Sequence, residues 1–468
     1  MLTKKIDIKS LTKDDSILSI SDHLFSILSE LPQPFILESP ASEDHKSGKF
    51  TFMGADPFLT IEATDKNITI NEGSQREELA GDPLTAFNDM LTRFREKTHP
   101  EYPFSSGAVG YIAYEAGEPI PARKKDELSL PDLRFGFYDT VLLYDHQKKQ
   151  LTIVSTGQPE KGVKKKKRAK ERLDQFTELV SKNPGPKEDE PKIGVLKSNF
   201  SRDDYIKGVE RIKEYITEGD IYQANLSQRF KAPFSGSPYL LYKRFRDLNP
   251  VSFGGYLGYD DLSIICNSPE RFLSLRGSKL ESRPIKGTIK REKGAIENYL
   301  QIRALKSSKK ETAEHIMIVD MVRNDLGRVC RYGTVKVDEL MKVESYSNLH
   351  HTVSTVSGEP GKGLTPVDCI RAAFPGGSIT GAPKIRAMEI IHEIEPNPRW
   401  IYTGSIGYIG FDGNMDLNIA IRTAFVKDGS IYFSAGGGIV ADSDPAAEYD
   451  ETLLKGDIFK EIAESNKE

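Results

Sequence analysis

Cysteine is scarce in this chain, which has three among its 468 residues. Cys266, Cys330 and Cys369 are far apart in sequence, odd in number and not at metal-ligand spacing. This pattern argues against a disulfide framework and against a cysteine-based zinc site. It predicts a reducing, cytoplasmic setting in which the three thiols fill small apolar spaces.

Long apolar runs are also missing. No stretch approaches the length of a membrane span, and residues 1–16 lack the apolar core of a signal peptide. The net charge is −4, which gives the chain no general affinity for nucleic acid or for an anionic membrane. We therefore predict neither a nucleic-acid nor a membrane partner.

The basic run at residues 164–168 is the feature that could suggest nucleic-acid binding. No aromatic residues interleave it, and Leu173, Phe176 and Val180 follow at helical spacing. A solvated, lysine-rich helix start is therefore the better interpretation.

The length allows one large domain or two, and a content of 38% hydrophobic and 29% charged residues is typical of a soluble globular protein. Residues 182–192 combine proline, glycine and charge, which predicts a solvated linker. We therefore predict an N-terminal region over residues 1–181 and a second region over residues 193–468.

Extended segments dominate the pattern, and a helix capped by Ser201 follows the linker. Asp412-Gly413 and Asp428-Gly429 lie between long extended stretches, which is a strong hairpin pattern. Together these features predict an α+β fold with large antiparallel sheets and helices against them. The predicted strands are 35–39, 50–54, 135–144, 151–155, 400–411, 415–426 and 430–441.

Two predicted helices each carry glutamates three residues apart, Glu311 with Glu314 and Glu448 with Glu451. That spacing puts each pair on one helix face. Carboxylate oxygens suit Mg²⁺, but acidic residues are also common in the first turn of a helix, where they favour the dipole. The spacing alone leaves a metal site and an ordinary helix start equally open.

Alternation along residues 415–426 predicts one core face and one opposite face that carries Asp416, Asn418, Ala420, Arg422 and Ala424. Because alanines flank Arg422 on that face, its guanidinium has room to grip a carboxylate at two points. A solvent-facing arginine is equally open. Tyr402 shares a face with Arg422 only if the intervening turn has three residues rather than two.

Two glycine-rich segments could receive anions. Gly436, Gly437 and Gly438 lie within a predicted strand, and residues 375–384 precede a predicted helix. The second segment is not a P-loop, because Lys384 does not directly follow the last glycine and no serine or threonine follows that lysine. A turn with a helix cap is the alternative for each segment.

Several of these segments occur in an order that resembles enzymes that consume chorismate. The motifs are Ser268-Pro269-Glu270, Arg283-Pro284-Ile285-Lys286-Gly287-Thr288, and the glutamate and glycine segments above. The resemblance is strongest over residues 200–456 and weaker over residues 1–180. It implies an anthranilate synthase component I-like fold, with residues 193–468 as the chorismate-binding catalytic region.

Lys286 separates two branches of that family. The motif reads R-P-I-A-G-T in anthranilate synthases and R-P-I-K-G-T in aminodeoxychorismate synthases, as it does here. A lysine can become a neutral nucleophile when desolvation lowers its pKa, so the resemblance implies a covalent intermediate on Lys286. A lone lysine before a turn would otherwise be taken for a surface residue.

The resemblance also implies the ligands of Mg²⁺ and of the substrate. Glu314 and Glu451 would bind the ion directly, and Glu311 and Glu448 through water. Tyr402 and Arg422 would hold the enolpyruvyl carboxylate, which predicts a three-residue loop at Asp412-Gly413-Asn414. The remaining substrate contacts would come from Gly436, Gly437, Gly438, Ser378, Thr380 and Thr288.

Three further residues carry the implied chemistry. Glu270 would be the general acid for the departing C4 hydroxyl, which requires burial to raise its pKa. His351 matches a histidine that lines the pocket, although a packed core histidine is the alternative. Gln223 stands where relatives that add water carry a lysine base, and glutamine cannot deprotonate water, so ammonia is the implied nucleophile.

The implied product is 4-amino-4-deoxychorismate, a precursor of 4-aminobenzoate and folate, with ammonia from a separate glutaminase subunit. Ser39, Ser252 and Phe253 lie in segments that resemble a tryptophan pocket. Feedback control by tryptophan is not expected there, whereas a structural tryptophan or an empty pocket is open. The competing interpretations are anthranilate synthase component I and a non-catalytic protein that binds chorismate or tryptophan.

Overall fold

The computed structural model describes residues 1–8, 17–39, 49–97, 99, 101–117, 124–182, 189–292, 294–346 and 349–464. Within them the helices are α1 (Ile17–Leu28), α2 (Pro83–Arg93), α3 (Gly162–Val180), α4 (Arg202–Thr217), α5 (Pro238–Leu248), α6 (Ala295–Ser307), α7 (Lys309–Gly327), α8 (Pro366–Ala373), α9 (Lys384–Ile394) and α10 (Pro445–Glu464). None of these helices has both the length and the apolar content that crossing a bilayer demands.

The strands up to the middle of the chain are β1 (Leu2–Ile6), β2 (Phe35–Glu38), β3 (Phe50–Gly54), β4 (Leu59–Thr64), β5 (Asn67–Glu72), β6 (Gln75–Ala80), β7 (Gly107–Ile112), β8 (Leu133–Tyr138), β9 (Thr140–Asp145), β10 (Gln150–Ser155), β11 (Lys192–Ile193), β12 (Lys197–Ser198) and β13 (Gln223–Ser235). The later strands are β14 (Phe253–Gly258), β15 (Ser263–Ser268), β16 (Arg271–Arg276), β17 (Lys279–Arg283), β18 (Ile285–Lys290), β19 (Lys336–Ser345), β20 (Leu349–Gly358), β21 (Gly381–Ala382), β22 (Ser405–Gly410), β23 (Met415–Asn418), β24 (Thr423–Lys427) and β25 (Ser430–Ile439).

Within the described residues the strands form two antiparallel sheets. The first has thirteen strands in the order β1-β10-β9-β3-β2-β14-β15-β24-β25-β13-β11, with β12 and β21 also paired to β13. The second has twelve strands in the order β18-β20-β17-β16-β23-β22-β7-β8-β4-β5-β6, with β19 paired to β20. The predicted α+β class with large antiparallel sheets is confirmed.

Hydrophobic clusters show how the layers stack. One cluster lies between the sheets and joins Phe52 and Leu143 of the first to Tyr111 and Ile406 of the second. A second packs α1, α3 and α5 against the outer face of the first sheet. A third packs α2, α7 and α8 against the outer face of the second sheet. Burying these apolar faces is what holds the two sheets and the helices together.

Both sheets contain strands from each side of the predicted boundary at residues 182–192. Strands β1 to β10 precede it, and they pair into both sheets beside strands that follow it. Residues 183–188 lie outside the described residues. The first sheet, for instance, joins β2 to β14, so the N-terminal region and the catalytic region share one framework.

The predicted strand at 135–144 is wrong in one respect, because it is two strands in different sheets. β8 belongs to the second sheet and β9 to the first, and Asp139 lies between them. The buried Asp139 carboxylate is paired with Arg168 and Arg172 of α3, which fixes the chain at this corner.

The basic run at 164–168 therefore has a structural role. It lies near the start of α3, where Lys165 is paired with Glu96 and Arg168 with Asp139. The predicted helix start is confirmed, and α3 buries Phe176 and Val180 at helical spacing.

The chain crosses between the sheets at two places that build the site. Residues 269–270 connect β15 of the first sheet to β16 of the second, and residues 419–422 connect β23 of the second to β24 of the first. The predicted continuous strand at 415–426 is therefore broken. The predicted hairpin at Asp428-Gly429 is confirmed, because β24 and β25 pair directly across it.

Candidate active site

Lys286 owes its position to an irregularity in β18. Lys286 pairs with Thr352 of β20 and Thr288 pairs with His351, so Gly287 is an extra residue in the ladder. Gly287 has a φ of 62°, a conformation that favours glycine, and such bulges re-aim neighbouring side chains. The motif thus needs glycine directly after the lysine.

The Lys286 ammonium donates to Glu314 Oε2 over 2.7 Å. Both side chains are largely shielded, with 21% of the lysine and 11% of the glutamate exposed. The expectation of a buried lysine is met in part, because an edge of the side chain still reaches solvent. Nucleophilic attack by Lys286 would use the lone pair of the neutral amine.

Glu270 lies at the crossing between β15 and β16 and is 4% exposed. Burial raises the pKa of its carboxyl from 4.5 to about 7, against the opposing effects of the Ser378 hydroxyl, the Ile285 N–H and the Lys286 charge. Ser378 Oγ donates to Glu270 Oε1 over 2.7 Å. The predicted condition for a general acid near neutral pH is present.

Strand β25 brings Gly438 next to the amine of Lys286. A methyl group added at Gly438 of β25 would lie 2.6 Å from Gln223 Nε2 and 3.4 Å from Lys286 Nζ. The amide of Gln223 and the amine of Lys286 therefore border the same small space. Gln223 begins strand β13 and is buried.

Arg422 lies at the second crossing rather than on a strand face. Its φ is 48°, and the chain leaves the second sheet before it and enters the first after it. No ion pair or hydrogen bond to its guanidinium is recorded among the described residues, and burial lowers its pKa. A shielded guanidinium without a partner suits a ligand carboxylate.

The loop between β22 and β23 differs from the prediction by one position. Ile409 pairs with Met415, and the Gly410 N–H donates to the Asn414 carbonyl over 2.7 Å. The loop therefore has three residues, as predicted, but they are Phe411, Asp412 and Gly413. Asn414 closes the ladder because its side chain donates to Asp412 and its backbone pairs with Gly410.

Tyr402 lies in the turn before β22 and is buried. Burial raises the pKa of its phenol, so the hydroxyl keeps its proton and can donate. Arg399 stands 5.9 Å from its ring centroid and is itself fixed by Glu395. No direct contact between Tyr402 and Arg422 is recorded in the described part of the chain, and their joint role stays a prediction.

His351 and Thr288 face each other across β18 and β20. Their Oγ1 and Nδ1 atoms are 2.8 Å apart, and the His351 ring packs edge-on against Tyr346. Burial, followed by the nearby charges of Arg422 and His350, lowers the pKa of His351 to about 3, so the imidazole is neutral. His351 therefore shapes the pocket beside Arg422, and a role in proton transfer stays a prediction.

The loop at residues 375–384 brings one of its two predicted polar residues to the acid. Ser378 contacts Glu270, as described above, whereas the Thr380 hydroxyl donates to the Gly376 carbonyl over 3.0 Å and supports the loop. Lys384 fixes the end of the loop by donating to Asp325 over 2.7 Å and to the Ala373 carbonyl over 2.8 Å.

The four glutamates predicted to hold Mg²⁺ are not gathered into one cluster. Glu314 contacts Lys286, and Glu311 Oε2 is 3.3 Å from the position of a methyl group on Gly287. Glu448 instead approaches Gly437. Successive strand residues face opposite sides, so Glu448 lies on the face of β25 opposite to the one that Gly438 presents to Lys286. Within the described residues no group of three or more His, Cys, Asp or Glu side chains is placed to hold a metal ion.

The glutamates of α7 nevertheless fit a hard cation by their chemistry. Mg²⁺ needs one or two protein carboxylates, and takes its other ligands from water and substrate. Glu311 and Glu314 meet that requirement beside Lys286, and Glu451 is 2.7 Å from Lys455 Nζ. The magnesium set stays a prediction.

Lys455 is a residue that the sequence reasoning missed. Its Nζ donates to the Gly436 carbonyl over 2.8 Å and is paired with Glu451, so it places a cation beside Gly436 of β25. Its position four residues after Glu451 on a predicted helix could have revealed it.

A separate cavity of about 370 Å³ lies between the sheets, which is large enough for a small aromatic ligand. Ser39, Ser252 and Phe253 line it, as the predicted tryptophan pocket requires. Ser39 Oγ donates to the Ser252 carbonyl, which ties β2 to the segment before β14. Its occupant stays a prediction.

Comparisons with known proteins agree with this arrangement. A family model described as chorismate binding enzyme matches residues 33–461. Aminodeoxychorismate synthase component 1 of Bacillus subtilis (strain 168) is 39% identical over 434 residues, which is 91% of this chain and 92% of that protein. Anthranilate synthase component 1 of Geobacillus stearothermophilus is 36% identical over 444 residues, which is 90% of this chain and 87% of that protein.

A solved structure has the same architecture. Anthranilate synthase component I from Streptococcus pneumoniae TIGR4 is similar with a TM-score of 0.77 at 32% identity, covering 88% of this chain and 92% of that chain. The expected anthranilate synthase component I-like fold is thereby confirmed. Because the family model spans both sheets and every residue of the site, the chain belongs to the family of chorismate-binding enzymes.

Proposed function

We propose that this chain aminates chorismate at C4 to give 4-amino-4-deoxychorismate, by way of a covalent intermediate on Lys286. The observation that carries the proposal is a lysine set on a glycine bulge, whose charge acts on the buried carboxyl of Glu270, where burial raises the pKa to about 7. An enzyme that adds ammonia directly at C2 would have no use for an amine at this position.

In the first step the amine of Lys286 attacks C2 of the ring. The two conjugated ring double bonds both shift, the C4–O bond breaks, and the Glu270 carboxyl donates its proton to the departing hydroxyl, which leaves as water. The Lys286 nitrogen then loses a proton, and Glu314, 2.7 Å from Nζ, is the nearest recorded carboxylate. Glu270 is half protonated at about pH 7 and is therefore matched to this task.

In the second step ammonia attacks C4. The two double bonds shift back, the bond between C2 and the lysine nitrogen breaks, and a proton returns to that nitrogen. Gln223 borders the Lys286 amine and, being an amide, cannot deprotonate water there. Ammonia needs no prior deprotonation, which favours amination over hydration.

Chorismate carries two carboxylates, and the site offers cations for both. Arg422, with the phenol of Tyr402, is assigned to the enolpyruvyl carboxylate. Glu314 and Glu451 would hold Mg²⁺ directly, with Glu311 and Glu448 reaching it through water. The ion would supply positive charge for the ring carboxylate.

The relatives' names suggest a partner. Several are called component 1 of a synthase, which implies a component 2 for those proteins. We assign to this chain a glutaminase partner that supplies ammonia.

The test is product identification with the purified chain, chorismate, Mg²⁺ and ammonium, by chromatography and mass spectrometry. The proposal expects 4-amino-4-deoxychorismate from the wild type, and a loss of at least about 10³-fold on Lys286→Ala. Lys286→Arg is the matched control for charge, because it keeps a cation beside Glu314 without a nucleophilic amine. Anthranilate from the wild type, or undiminished amination by Lys286→Ala, would reject the proposal.

A further inference from the structure

Arg399 is a buried cation between α9 and β22, and it is 4% exposed. Its Nε and Nη2 donate to the two carboxylate oxygens of Glu395 over 2.8 and 2.7 Å, which is the two-point geometry that arginine favours. Its Nη1 donates to the Ile379 carbonyl over 2.9 Å and to Thr403 Oγ1 over 3.5 Å, and its Nη2 also donates to the Asn225 carbonyl over 2.7 Å. These five contacts match the five N–H groups of a guanidinium.

The contact with Ile379 supports the turn that carries Ser378. Gly377, Ser378 and Ile379 form a single 3₁₀ turn, and the Ser378 hydroxyl donates to Glu270 over 2.7 Å. Arg399 therefore holds the residue that directly follows the serine on the acid. A short turn has few internal hydrogen bonds, so a donor from outside fixes its orientation.

The remaining contacts of the ion pair tie that turn to two other parts of the site. Arg399 holds β13 through the Asn225 carbonyl, and Glu395 accepts from the N–H and the hydroxyl of Ser227 on the same strand, both over 2.8 Å. The Tyr402 N–H donates to the Arg399 carbonyl over 3.1 Å, and the Tyr402 ring centroid is 5.9 Å from the guanidinium carbon. One buried pair therefore connects β13, the turn at residues 377–379 and the turn of Tyr402.

We propose that Arg399 is a positioning residue that holds the Ser378 hydroxyl on the acid Glu270, and this inference rests on the function proposed above. The influences on the Glu270 carboxyl are its burial, the Ser378 hydroxyl, the Ile285 N–H and the charge of Lys286. A change at Arg399 therefore reaches the acid through the serine. When the serine moves away, the Glu270 carboxylate loses a donor and the carboxyl keeps its proton to higher pH.

The test is the pH profile of kcat/KM for chorismate, followed as loss of chorismate with Mg²⁺ and ammonium present. Arg399→Lys keeps a cation beside Glu395, but its three donors cannot replace the five of the planar fork. The alkaline limb of this variant should move up, by no more than the shift of about one pH unit expected for Ser378→Ala. In the double variant Arg399→Lys/Ser378→Ala the limb should coincide with that of Ser378→Ala alone, because the serine transmits the effect.

The matched control is Arg172→Lys, which weakens another buried arginine–carboxylate pair, the one with Asp139 at the corner between β8 and β9. It should lower the unfolding midpoint, as Arg399→Lys does, and leave the alkaline limb unmoved. If Arg399→Lys does not fold, Glu395→Asp takes its place. Aspartate keeps the negative charge but shortens its reach, which draws the guanidinium away from the Ile379 carbonyl, and the limb should again move up.

The outcomes separate this inference from the proposed function. An alkaline limb that stays at the wild-type position in Arg399→Lys would show that Arg399 only supports the fold, and shifts that add in the double variant would show that the two residues act independently. Either result overturns the inference. Because the assay follows loss of chorismate, it applies whichever amino product forms, and identification of the product tests the proposed function separately. A wild type that consumes no chorismate would overturn both.

Discussion

Replacing the buried acid Glu270 by glutamine should abolish turnover and change how stability depends on pH. Burial raises the pKa of Glu270 to about 7 from an ordinary value of 4.5. The folded chain therefore binds a proton more tightly than the unfolded chain. The associated stability is fully present below about pH 4.5 and is lost as the pH rises through about 7.

The size of this effect follows from the shift. One pKa unit corresponds to about 1.4 kcal/mol, so the wild type should lose about 2–3 kcal/mol of this contribution between pH 5 and pH 8. Glutamine has a similar shape and does not titrate. Relative to the wild type, Glu270→Gln should gain about 2–3 kcal/mol in unfolding free energy on going from pH 5 to pH 8.

The assay is denaturant unfolding of both proteins at pH 5, 6, 7 and 8, followed by the difference between them at each pH. Taking the difference cancels the titration of all other groups. An equal offset at every pH would show that Glu270 has an ordinary pKa in the folded chain. That result would refute its assignment as an acid poised near neutrality.

Three further substitutions test individual contacts of the site. Ser378→Ala removes a hydrogen-bond donor that stabilises the Glu270 carboxylate, so the pKa of Glu270 should rise. The alkaline limb of the pH profile of kcat/KM for chorismate should then move up by about one pH unit, and an unmoved limb would contradict this. Gly438→Ala puts a methyl group 2.6 Å from Gln223 Nε2 and should lower kcat at least about tenfold. The control is Gly81→Ala, whose methyl group meets nothing within 4 Å and should leave kcat unchanged. Arg422→Lys loses two-point binding and should raise the KM for chorismate about tenfold with little change in the unfolding midpoint, and an unchanged KM would remove Arg422 from the substrate site.

Features of the site and the fold could be predicted from the sequence wherever a short local motif encodes them. The motif at residues 283–288 contains both the lysine and the glycine that forms the bulge, so position and chemistry are encoded together. The Ser201 helix cap and the Asp428-Gly429 hairpin are local in the same way, and the structure confirms both. Local backbone preferences dominate at such points.

The crossings between sheets could not be predicted, because alternation continues through them. Residues 415–426 keep a regular pattern of apolar side chains although the chain leaves one sheet and enters the other at residues 419–422. Both sheets bury the apolar set, so burial gives no sign of the break. Arg422 was placed on a strand face for this reason.

The most direct test of the account is to trap the intermediate on Lys286. The chain is mixed with chorismate and Mg²⁺ without ammonia, quenched in acid, and analysed by intact and peptide mass spectrometry. The account predicts an adduct of chorismate less one water on the peptide that contains Lys286, absent in Lys286→Arg and discharged when ammonium is added before the quench. Rapid amination by the wild type with no adduct at any time, or an adduct on another residue, would contradict it.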